Sequence, residues 1–391
     1  MPSTAFKNGD ETNNNQLSSD AVTFDSPSID AYPYIKEIRE LRQRLAETLK
    51  QWPEYDTVYS LQRWLQSQQY NVDATVPLVE SGLKTIALLG CFDYSYENPE
   101  NVSQTICSMI LTAPYFPGGI MGFDKNGNVV PIQPLGRVRP KSLMTTGRVS
   151  DLYRISILEC EGIMQLLRRE EMRRQQKLGV IVIYDITEYS TAMITTSSMK
   201  KLFPESVSKV YVINAPAAIS ALIQMVKHLI PQQVLRDEIG EQFLLPYWGG
   251  SKVAESPTGL IRMCGDVPDD IKENAIKNMK RIPKEKLTTI KINARDQAFI
   301  LIQVNEPESV LSWYFTVYSG DIDFSISFNG DLIWPVFRIS TEFVPEYGKI
   351  VCTKKGLYTL HMDNRHSIFR AETIFYNVQI ANRDGHAVIN K

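Results

Sequence analysis

The sequence predicts an α/β domain with a helical N-terminal subdomain, followed by an all-β sandwich. Three successive patterns of apolar residues lead to this prediction. Apolar residues recur at three- and four-residue steps from 35 to 89, continuous apolar runs alternate with helical stretches from 119 to 230, and short segments alternate every two residues from about 265 onwards. The chain has 391 residues, which is enough for two to three domains.

The composition is that of a globular protein without a strongly charged face. The formal net charge is −2 at pH 7, so nucleic acid is not a predicted partner. No stretch reaches the about 18 uninterrupted apolar residues of a membrane span, and the N-terminus lacks the apolar region of a secretory signal. The five cysteines are scattered, which indicates reduced thiols and a cytoplasmic protein. Residues 1–30 are polar and are predicted to form a disordered tail.

Three short helices are predicted to follow this tail. The first is amphipathic and ends before Pro53, because proline has no backbone N–H to continue a helix. Asp56 or Thr57 can cap the second helix, and the third follows Asp73. The predicted helical subdomain spans residues 31–92.

The α/β domain is predicted over residues 93–262. Two apolar segments, Ile120–Phe123 and Val129–Ile132, flank the turn sequence Asp124-Lys125-Asn126-Gly127, which predicts a hairpin because Asn-Gly tolerates positive φ. A long helix is predicted from about Ser150 to Gln176. The arginines of its last turns are interleaved with glutamates and are interpreted as a solvated helix end, with membrane docking as the less favoured option. They are Arg168, Arg169, Arg173 and Arg174.

The continuous apolar run Gly179–Tyr184 is predicted to be a strand buried on both faces, and Lys209–Ile213 is predicted to be a second buried strand. A Thr- and Ser-rich helix is predicted between them, and an apolar helix at about Ala217–Ile230 follows the second strand. This alternation of strand and helix is typical of a sheet with parallel strands.

Residues 263–384 are predicted to form the sandwich. Short segments with a two-residue period alternate there with turn residues at regular spacing, a pattern typical of antiparallel sheets. Trp313 is interpreted as a core residue of the sandwich. Asp363-Asn364 is interpreted as a turn that caps its own backbone.

Several short motifs occur in one order along the chain. The first part contains Arg63-Trp64-Leu65, Gly122–Val130, Tyr184-Asp185, Phe203–Ser206, Val210–Pro216 and Leu245-Pro246 with Gly249-Gly250. The second part contains Gly320–Phe324, Val344–Gly348, Gly356-Leu357-Tyr358 and Asp363-Asn364. Together they resemble an α/β CRAL-TRIO domain followed by an all-β GOLD sandwich, as in proteins of the supernatant-protein-factor, or tocopherol-associated, type.

This resemblance implies that the α/β domain holds one lipid, of unknown identity, in an apolar cavity behind a gate helix. The bound lipid is the only ligand expected, with no cofactor and no metal. The cavity wall is predicted to contain Ile120, Phe123, Ile132, Ile181, Ile183, Tyr211 and Ile213. The gate is predicted to contain Ile219, Leu222, Met225, Val226 and Lys227. Each apolar position is equally compatible with ordinary core packing, and a solvated charge is the favoured interpretation of Lys227.

The function implied is transfer or sensing of a hydrophobic lipid, with transient membrane contact and peripheral membrane association in the cytoplasm. The GOLD sandwich is expected to act as an adaptor for a protein or a membrane. The main alternative is an adaptor or signalling regulator with regulatory or vestigial lipid binding. It is favoured by a short segment after Pro231, where the family has an additional strand. Ala221 and Gln224 stand where phosphoinositide-binding members carry a hydroxyl and a basic residue, which argues against the binding of an inositol phospholipid.

No sequence motif of an enzyme family identifies catalytic residues in this chain. The sequence contains no GxGxxG, no Walker-type GK[ST], no HExxH and no GxSxG motif. We therefore predict that the protein is not an enzyme, and a lipid hydrolase is only a third alternative.

Overall fold

The N-terminal part of the protein is a helical subdomain. The structure, a computed structural model, describes residue 24 and residues 29–188, 201–215, 232–382 and 387–388. Within these ranges the first helices are α1 (Ile35–Arg44), α2 (Ala46–Gln51), α3 (Val58–Ser67) and α4 (Val72–Leu88). The first predicted helix is thus two helices, and its predicted end before Pro53 is confirmed. Most of the tail predicted at residues 1–30 lies outside the described residues.

Side-chain caps decide where α3 and α4 begin. The Thr57 hydroxyl oxygen accepts a hydrogen bond from the backbone N–H of Ser60 at 3.1 Å, so Thr57 is the cap of α3. The Asn71 side-chain oxygen accepts from the backbone N–H of Ala74 at 3.0 Å and caps α4. The third helix therefore begins just before Asp73, the residue after which it was predicted.

The middle part combines helices with a four-stranded sheet. Its helices are α5 (Pro99–Met109), α6 (Pro140–Met144), α7 (Val149–Arg174) and α8 (Gln232–Ile239), and its strands are β1 (Ile120–Phe123), β2 (Val129–Gln133), β3 (Val180–Asp185) and β4 (Val207–Ile213). The order is β1-β2-β3-β4, with β1 and β2 antiparallel and β2, β3 and β4 parallel, as predicted. The two helices predicted around β4 lie largely outside the described residues. None of the helices in the described ranges is long and apolar enough to cross a bilayer.

The turn between β1 and β2 is closed by its own aspartate. The Asp124 carboxylate accepts from the backbone N–H groups of Asn126 at 2.9 Å and Asn128 at 2.7 Å. Gly127 has a φ of +94°, in the left-handed region that favours glycine. The hairpin predicted from the Asn-Gly pair is therefore confirmed.

Helix α7 carries three buried ion pairs, one within the helix and two that tie it to other parts of the chain. Arg63 of α3 pairs with Glu171, Arg168 pairs with Glu161 at 2.6 Å, and Arg262 pairs with Glu159 at 2.8 Å. Each buried charge has an opposite charge beside it, which such a position requires. Glu171 and Glu159 thus connect α7 to segments that are distant in sequence, and Glu161 does so by accepting a hydrogen bond from the Tyr55 hydroxyl.

The prediction that Arg168 is solvated is wrong. Its side chain is only 6% exposed, and its guanidinium lies 4.2 Å from the centre of the Tyr55 ring. The helical subdomain covers this side of α7, and the sequence of α7 alone gives no sign of that cover. Arg173 and Arg174 pair with Glu170 at the end of the helix, and Arg173 is largely exposed.

The C-terminal part consists of helix α9 (Asp269–Asn278) and two antiparallel sheets. Its strands are β5 (Thr288–Ile292), β6 (Gln297–Val304), β7 (Ser309–Val317), β8 (Asp321–Phe328), β9 (Asp331–Ser340), β10 (Glu346–Cys352), β11 (Gly356–Asp363), β12 (Glu372–Ala381) and β13 (Ala387–Val388). One sheet has the order β10-β7-β12-β13 with β5 beside β12, and the other has the order β6-β11-β8-β9. The strand β13 lies beyond residue 384, the predicted end of the sandwich. The other predicted domain limits stay predictions.

Aromatic side chains join the two antiparallel sheets. Trp313 of β7 is 1% exposed, and its ring lies 5.9 Å from Phe324 of β8 and 5.1 Å from Trp334 of β9, both in the facing sheet. Such centroid distances are those of packed aromatic pairs. This arrangement agrees with a sandwich and confirms Trp313 as a core residue.

The Asp363-Asn364 turn caps its own backbone, as predicted, and also joins two loops. Asp363 accepts from the backbone N–H of Arg365 at 2.8 Å, as a self-capping turn does. Asn364, however, is fully buried, and its amide donates to the backbone oxygens of Asn293 at 3.1 Å and Arg370 at 2.9 Å. The side chain therefore holds two loops together, a tertiary role that its local sequence does not reveal.

The sandwich packs against the first part of α7. The rings of Tyr153 and Phe337 are stacked at 5.1 Å, and the Arg148 guanidinium lies 4.7 Å from the centre of the Tyr347 ring. One cluster of buried apolar residues extends from the α/β domain into both antiparallel sheets. Glu346, at the start of β10, is buried at this junction beside Arg148.

Replacing Glu346 with glutamine is expected to make stability less dependent on pH. Burial raises the pKa of Glu346 to about 7, although Arg148 opposes the shift. In the unfolded chain this carboxyl ionises near pH 4.5, so its contribution to stability is lost as the pH rises through about 7. A neutral glutamine avoids that loss, which amounts to roughly 3 kcal/mol for such a shift. Urea unfolding of E346Q and the wild type at pH 5 and pH 8 measures it. A difference between the two proteins that is the same at both pH values would contradict this assignment.

Candidate functional site

One face of the four-stranded sheet gathers most of the predicted cavity wall. Its residues come from alternate positions of β2, β3 and β4, and all are at most 9% exposed. The parallel register places Ile132 opposite Ile183, and Ile183 opposite Tyr211. We call this group the apolar sheet face; it consists of Ile132, Ile181, Ile183, Tyr211 and Ile213, which belong to one buried cluster.

Two predicted wall residues are not part of this face. Ile120 and Phe123 of β1 pack with the larger core on the other side of the sheet, where α7 lies. Met121, between them, belongs to the same cluster as the apolar sheet face. Neighbouring residues of a strand point to opposite faces, so the register of β1 decides which of them reach the site. Nothing in the sequence of a four-residue strand fixes that register.

The apolar sheet face is covered in part by the chain that follows β4. Leu235 and Ile239 of α8 are fully buried in the same cluster, together with Leu244 and Trp248. Sequence reasoning missed these residues, although Leu235 and Ile239 stand at the four-residue spacing of a helix face. The predicted gate residues Ile219, Leu222, Met225, Val226 and Lys227 all lie in residues 216–231, outside the described residues.

Helix α8 is fastened near its C-terminal end to β4 and to the turn between β1 and β2. The Glu238 carboxylate accepts from the Tyr211 hydroxyl and from the Lys209 ammonium, each at 2.7 Å. These two hydrogen bonds hold the pKa of Glu238 below its usual value. The Lys125 ammonium donates to the backbone oxygen of Asp237 at 2.7 Å, at the helix end where a cation is favoured.

This attachment shows what the short segment after Pro231 does. The sequence predicted that this chain lacks an additional strand of the family it resembles. Within the described residues β4 is the edge of the sheet, and α8 follows it. The short segment therefore contains a helix that contributes apolar side chains to the cover of the apolar sheet face.

A buried carboxylate organises the end of the sheet next to this site. Asp185, the last residue of β3, is 1% exposed. It accepts from the Thr187 hydroxyl at 2.6 Å, the Asn214 amide at 3.1 Å and the Trp248 indole N–H at 2.9 Å. One side chain therefore fixes the ends of β3 and β4 and the Trp248 cover. This is the carboxyl end of parallel strands, where α/β sheets commonly place their ligand sites.

A family model described as the CRAL/TRIO domain matches residues 114–237. This range contains all four strands of the sheet, the apolar sheet face and most of α8. The chain contains a CRAL/TRIO domain. The CRAL-TRIO part of the predicted resemblance is thereby confirmed, whereas the GOLD assignment and the supernatant-protein-factor type stay predictions.

Named relatives are distant. The chain is 24% identical to Protein ctg-1 of Caenorhabditis elegans over 303 residues, which cover 67% of this chain and 78% of the relative. It is 25% identical to the phosphatidylinositol/phosphatidylcholine transfer protein SFH13 of Arabidopsis thaliana over 194 residues, 46% of this chain but 29% of the relative. It is 20% identical to Protein real-time of Aedes aegypti, with 73% of this chain and 48% of the relative covered. The matched region thus spans less than half of the last two relatives.

Among solved structures, the crystal structure of Sfh5 is similar over 54% of this chain and 76% of that chain. The sequence identity in this comparison is 16% and the TM-score is 0.31.

Proposed function

We propose that the CRAL/TRIO domain binds one hydrophobic lipid against the apolar sheet face and transfers or senses it. The observation that carries this proposal is the gathering of five predicted wall residues on one buried face, directly before the segment predicted as the gate. The Arabidopsis relative is named as a phosphatidylinositol/phosphatidylcholine transfer protein, which supports a phospholipid as the ligand.

The energetics of such a site favour exchange without bond chemistry. Each buried CH₂ group is worth about 0.8 kcal/mol, so a 16-carbon chain gains roughly 13 kcal/mol in the protein or in a bilayer. Because the two environments offer the chain a similar free energy, loading is nearly balanced, and the barrier is the passage of the chain through water. A gate that opens against a bilayer lowers this barrier. The gate must itself be apolar, and residues 219–230 have that composition.

The remaining parts of the proposal concern the surroundings of this site. The C-terminal sandwich is proposed to be a GOLD domain that acts as an adaptor, and the protein is proposed to work in the cytoplasm with transient membrane contact. The motif order described above and the two antiparallel sheets support these proposals.

Replacing Ile183 with phenylalanine is expected to lower lipid transfer at least tenfold while the protein stays folded. Ile183 is fully buried in the middle of the apolar sheet face. A larger side chain there would occupy space that the lipid needs. Overpacking of the buried cluster should also lower stability by about 1–3 kcal/mol, which leaves the protein folded. Transfer of fluorescent phosphatidylcholine or phosphatidylinositol between vesicles measures the rate, and thermal unfolding measures the fold.

Val182 offers a matched control, because it is adjacent in β3 and packs in the core on the opposite face. V182F should overpack this core and lower stability by about 1–3 kcal/mol, and the folded protein should transfer lipid at the wild-type rate. Wild-type transfer by a folded I183F protein would contradict the assignment of the apolar sheet face.

A further inference from the structure

A loop at one end of the sandwich presents two apolar side chains to water. Between β11 and β12, Phe369 is 93% exposed and Ile368 is 56% exposed. Tyr318, at the end of β7, is 78% exposed, and its backbone N–H donates to the backbone oxygen of Thr373 at 2.8 Å, just after this loop. Three large apolar or aromatic side chains are therefore exposed at the same end of the molecule. We call Ile368 and Phe369 the loop tip.

The loop is held firmly, so the exposure of its tip is built into the fold. The Ser367 hydroxyl donates to the backbone oxygen of Arg370 at 2.9 Å and accepts from the Arg370 N–H at 3.1 Å, which closes the loop beneath the tip. The buried Asn364 amide donates to the same Arg370 oxygen at 2.9 Å. The ring of His366 lies 2.8 Å from the Asp321 carboxylate on β8. These contacts fix the loop on both sides of Ile368 and Phe369.

Arginines surround the loop tip. Arg365 and Arg370 flank it in sequence and have side chains that are 62% and 60% exposed. Arg295 of the neighbouring loop is also exposed, and its backbone N–H donates to the Ser367 oxygen at 3.1 Å. Arg365 pairs with Asp363 at 2.6 Å, and Arg370 with Glu372 at 3.4 Å. The carboxylates of Asp363 and Glu372 are largely buried, whereas both arginine side chains face water, so their guanidinium groups can donate to phosphates.

We propose that this loop tip docks the protein on a bilayer that contains anionic phospholipids, with Ile368 and Phe369 among the headgroups. Apolar side chains at the interface with arginines beside them are the combination that binds such a surface. A protein partner fits less well. Stable protein interfaces bury about 800 Å² on each side over a matched surface, whereas a protruding tip of two residues needs no shape match in a fluid bilayer. This docking surface lies outside the CRAL/TRIO domain and does not depend on the lipid-binding proposal.

Replacing Phe369 with aspartate tests the docking surface. Removing one buried phenylalanine from a membrane interface and adding a negative charge should weaken binding at least about tenfold. Co-sedimentation of the full-length protein with vesicles of phosphatidylcholine and phosphatidylserine, in a molar ratio of about 7:3, measures the partition. The wild type should bind these vesicles more tightly than pure phosphatidylcholine vesicles, because the arginines add an electrostatic attraction.

Leu301 provides the matched control. It is 65% exposed on β6, on a strand of the same sandwich. L301D should bind vesicles as the wild type does, and both variants should unfold at nearly the wild-type temperature, because both sites are exposed. Wild-type binding by F369D would overturn the proposal. So would a wild type that does not sediment with the anionic vesicles, a result that would favour a protein partner. The assay measures no lipid exchange, so its failure is distinct from a failure of lipid transfer.

Discussion

Replacing Arg63 with methionine is expected to lower the free energy of unfolding by about 3–5 kcal/mol, the usual cost of leaving one partner of a buried ion pair alone. Arg63 and Glu171 have side chains that are 2% and 1% exposed. The Arg63 guanidinium also donates to the backbone oxygen of Leu178 at 2.8 Å, and the Leu178 N–H donates to Glu171 at 2.8 Å. Methionine fills a similar volume but leaves the Glu171 carboxylate without its cation, so the loss measures charge and not packing.

A pair with an exposed arginine on α7, the helix of Glu171, is the control for this variant. Arg173 pairs with Glu170, and its side chain is 63% exposed. R173M should therefore cost less than about 1 kcal/mol. Replacing Glu171 with methionine in the R63M background should recover much of the lost stability, since no uncompensated charge remains. Urea unfolding of the four proteins gives these values. Equal losses for R63M and R173M would show that the buried pair does not hold α7 to the helical subdomain.

Replacing Trp248 with alanine is expected to cost about 3–5 kcal/mol, as removal of a fully buried tryptophan usually does. The Trp248 side chain is fully buried in the cluster of the apolar sheet face, and its indole donates to Asp185 at 2.9 Å. The alanine variant loses the packing and also leaves the buried carboxylate with one donor fewer. The cover of the apolar sheet face should loosen, so lipid transfer should fall together with stability.

A variant at Tyr247 tests whether the loss in W248A comes from the burial of Trp248 or only from its place in the chain. It is the neighbouring residue but is 39% exposed, so Y247A should change stability far less than W248A. W248F should lie between them, because it keeps most of the volume and loses the donor, at about 1–3 kcal/mol for a buried group left short of a partner. A W248F protein as stable as the wild type would show that the hydrogen bond to Asp185 contributes little.

The elements of the fold were largely predictable because their signals are local. The apolar run of β3, the Asn-Gly turn before β2 and the cap at Thr57 each depend on a few adjacent residues, and each is confirmed by a contact or a backbone angle. The solvation of Arg168 was predicted wrongly because its environment depends on a segment that is distant in sequence. Its partners Glu161 and Tyr55 become decisive only when the helical subdomain covers α7.

The candidate site was predictable in part. Alternation along β3 and β4 assigns Ile181, Ile183, Tyr211 and Ile213 to one face, and the structure places them there. The short strand β1 carries no such pattern, so Ile120 was expected in the site that Met121 reaches instead. Contacts between segments distant in sequence, such as that of Asp185 with Trp248, need the folded chain. They decide how the site is closed.

Native mass spectrometry of the full-length protein, purified from a eukaryotic host without added lipid, tests the central claim most directly. We predict one co-purified lipid per chain, which is released on denaturation and exchanges for vesicle phosphatidylcholine or phosphatidylinositol. The I183F variant should lose this lipid, and V182F should keep it. A folded wild-type chain with no bound lipid, which takes none up from vesicles, would contradict lipid binding at the apolar sheet face and would favour an adaptor role.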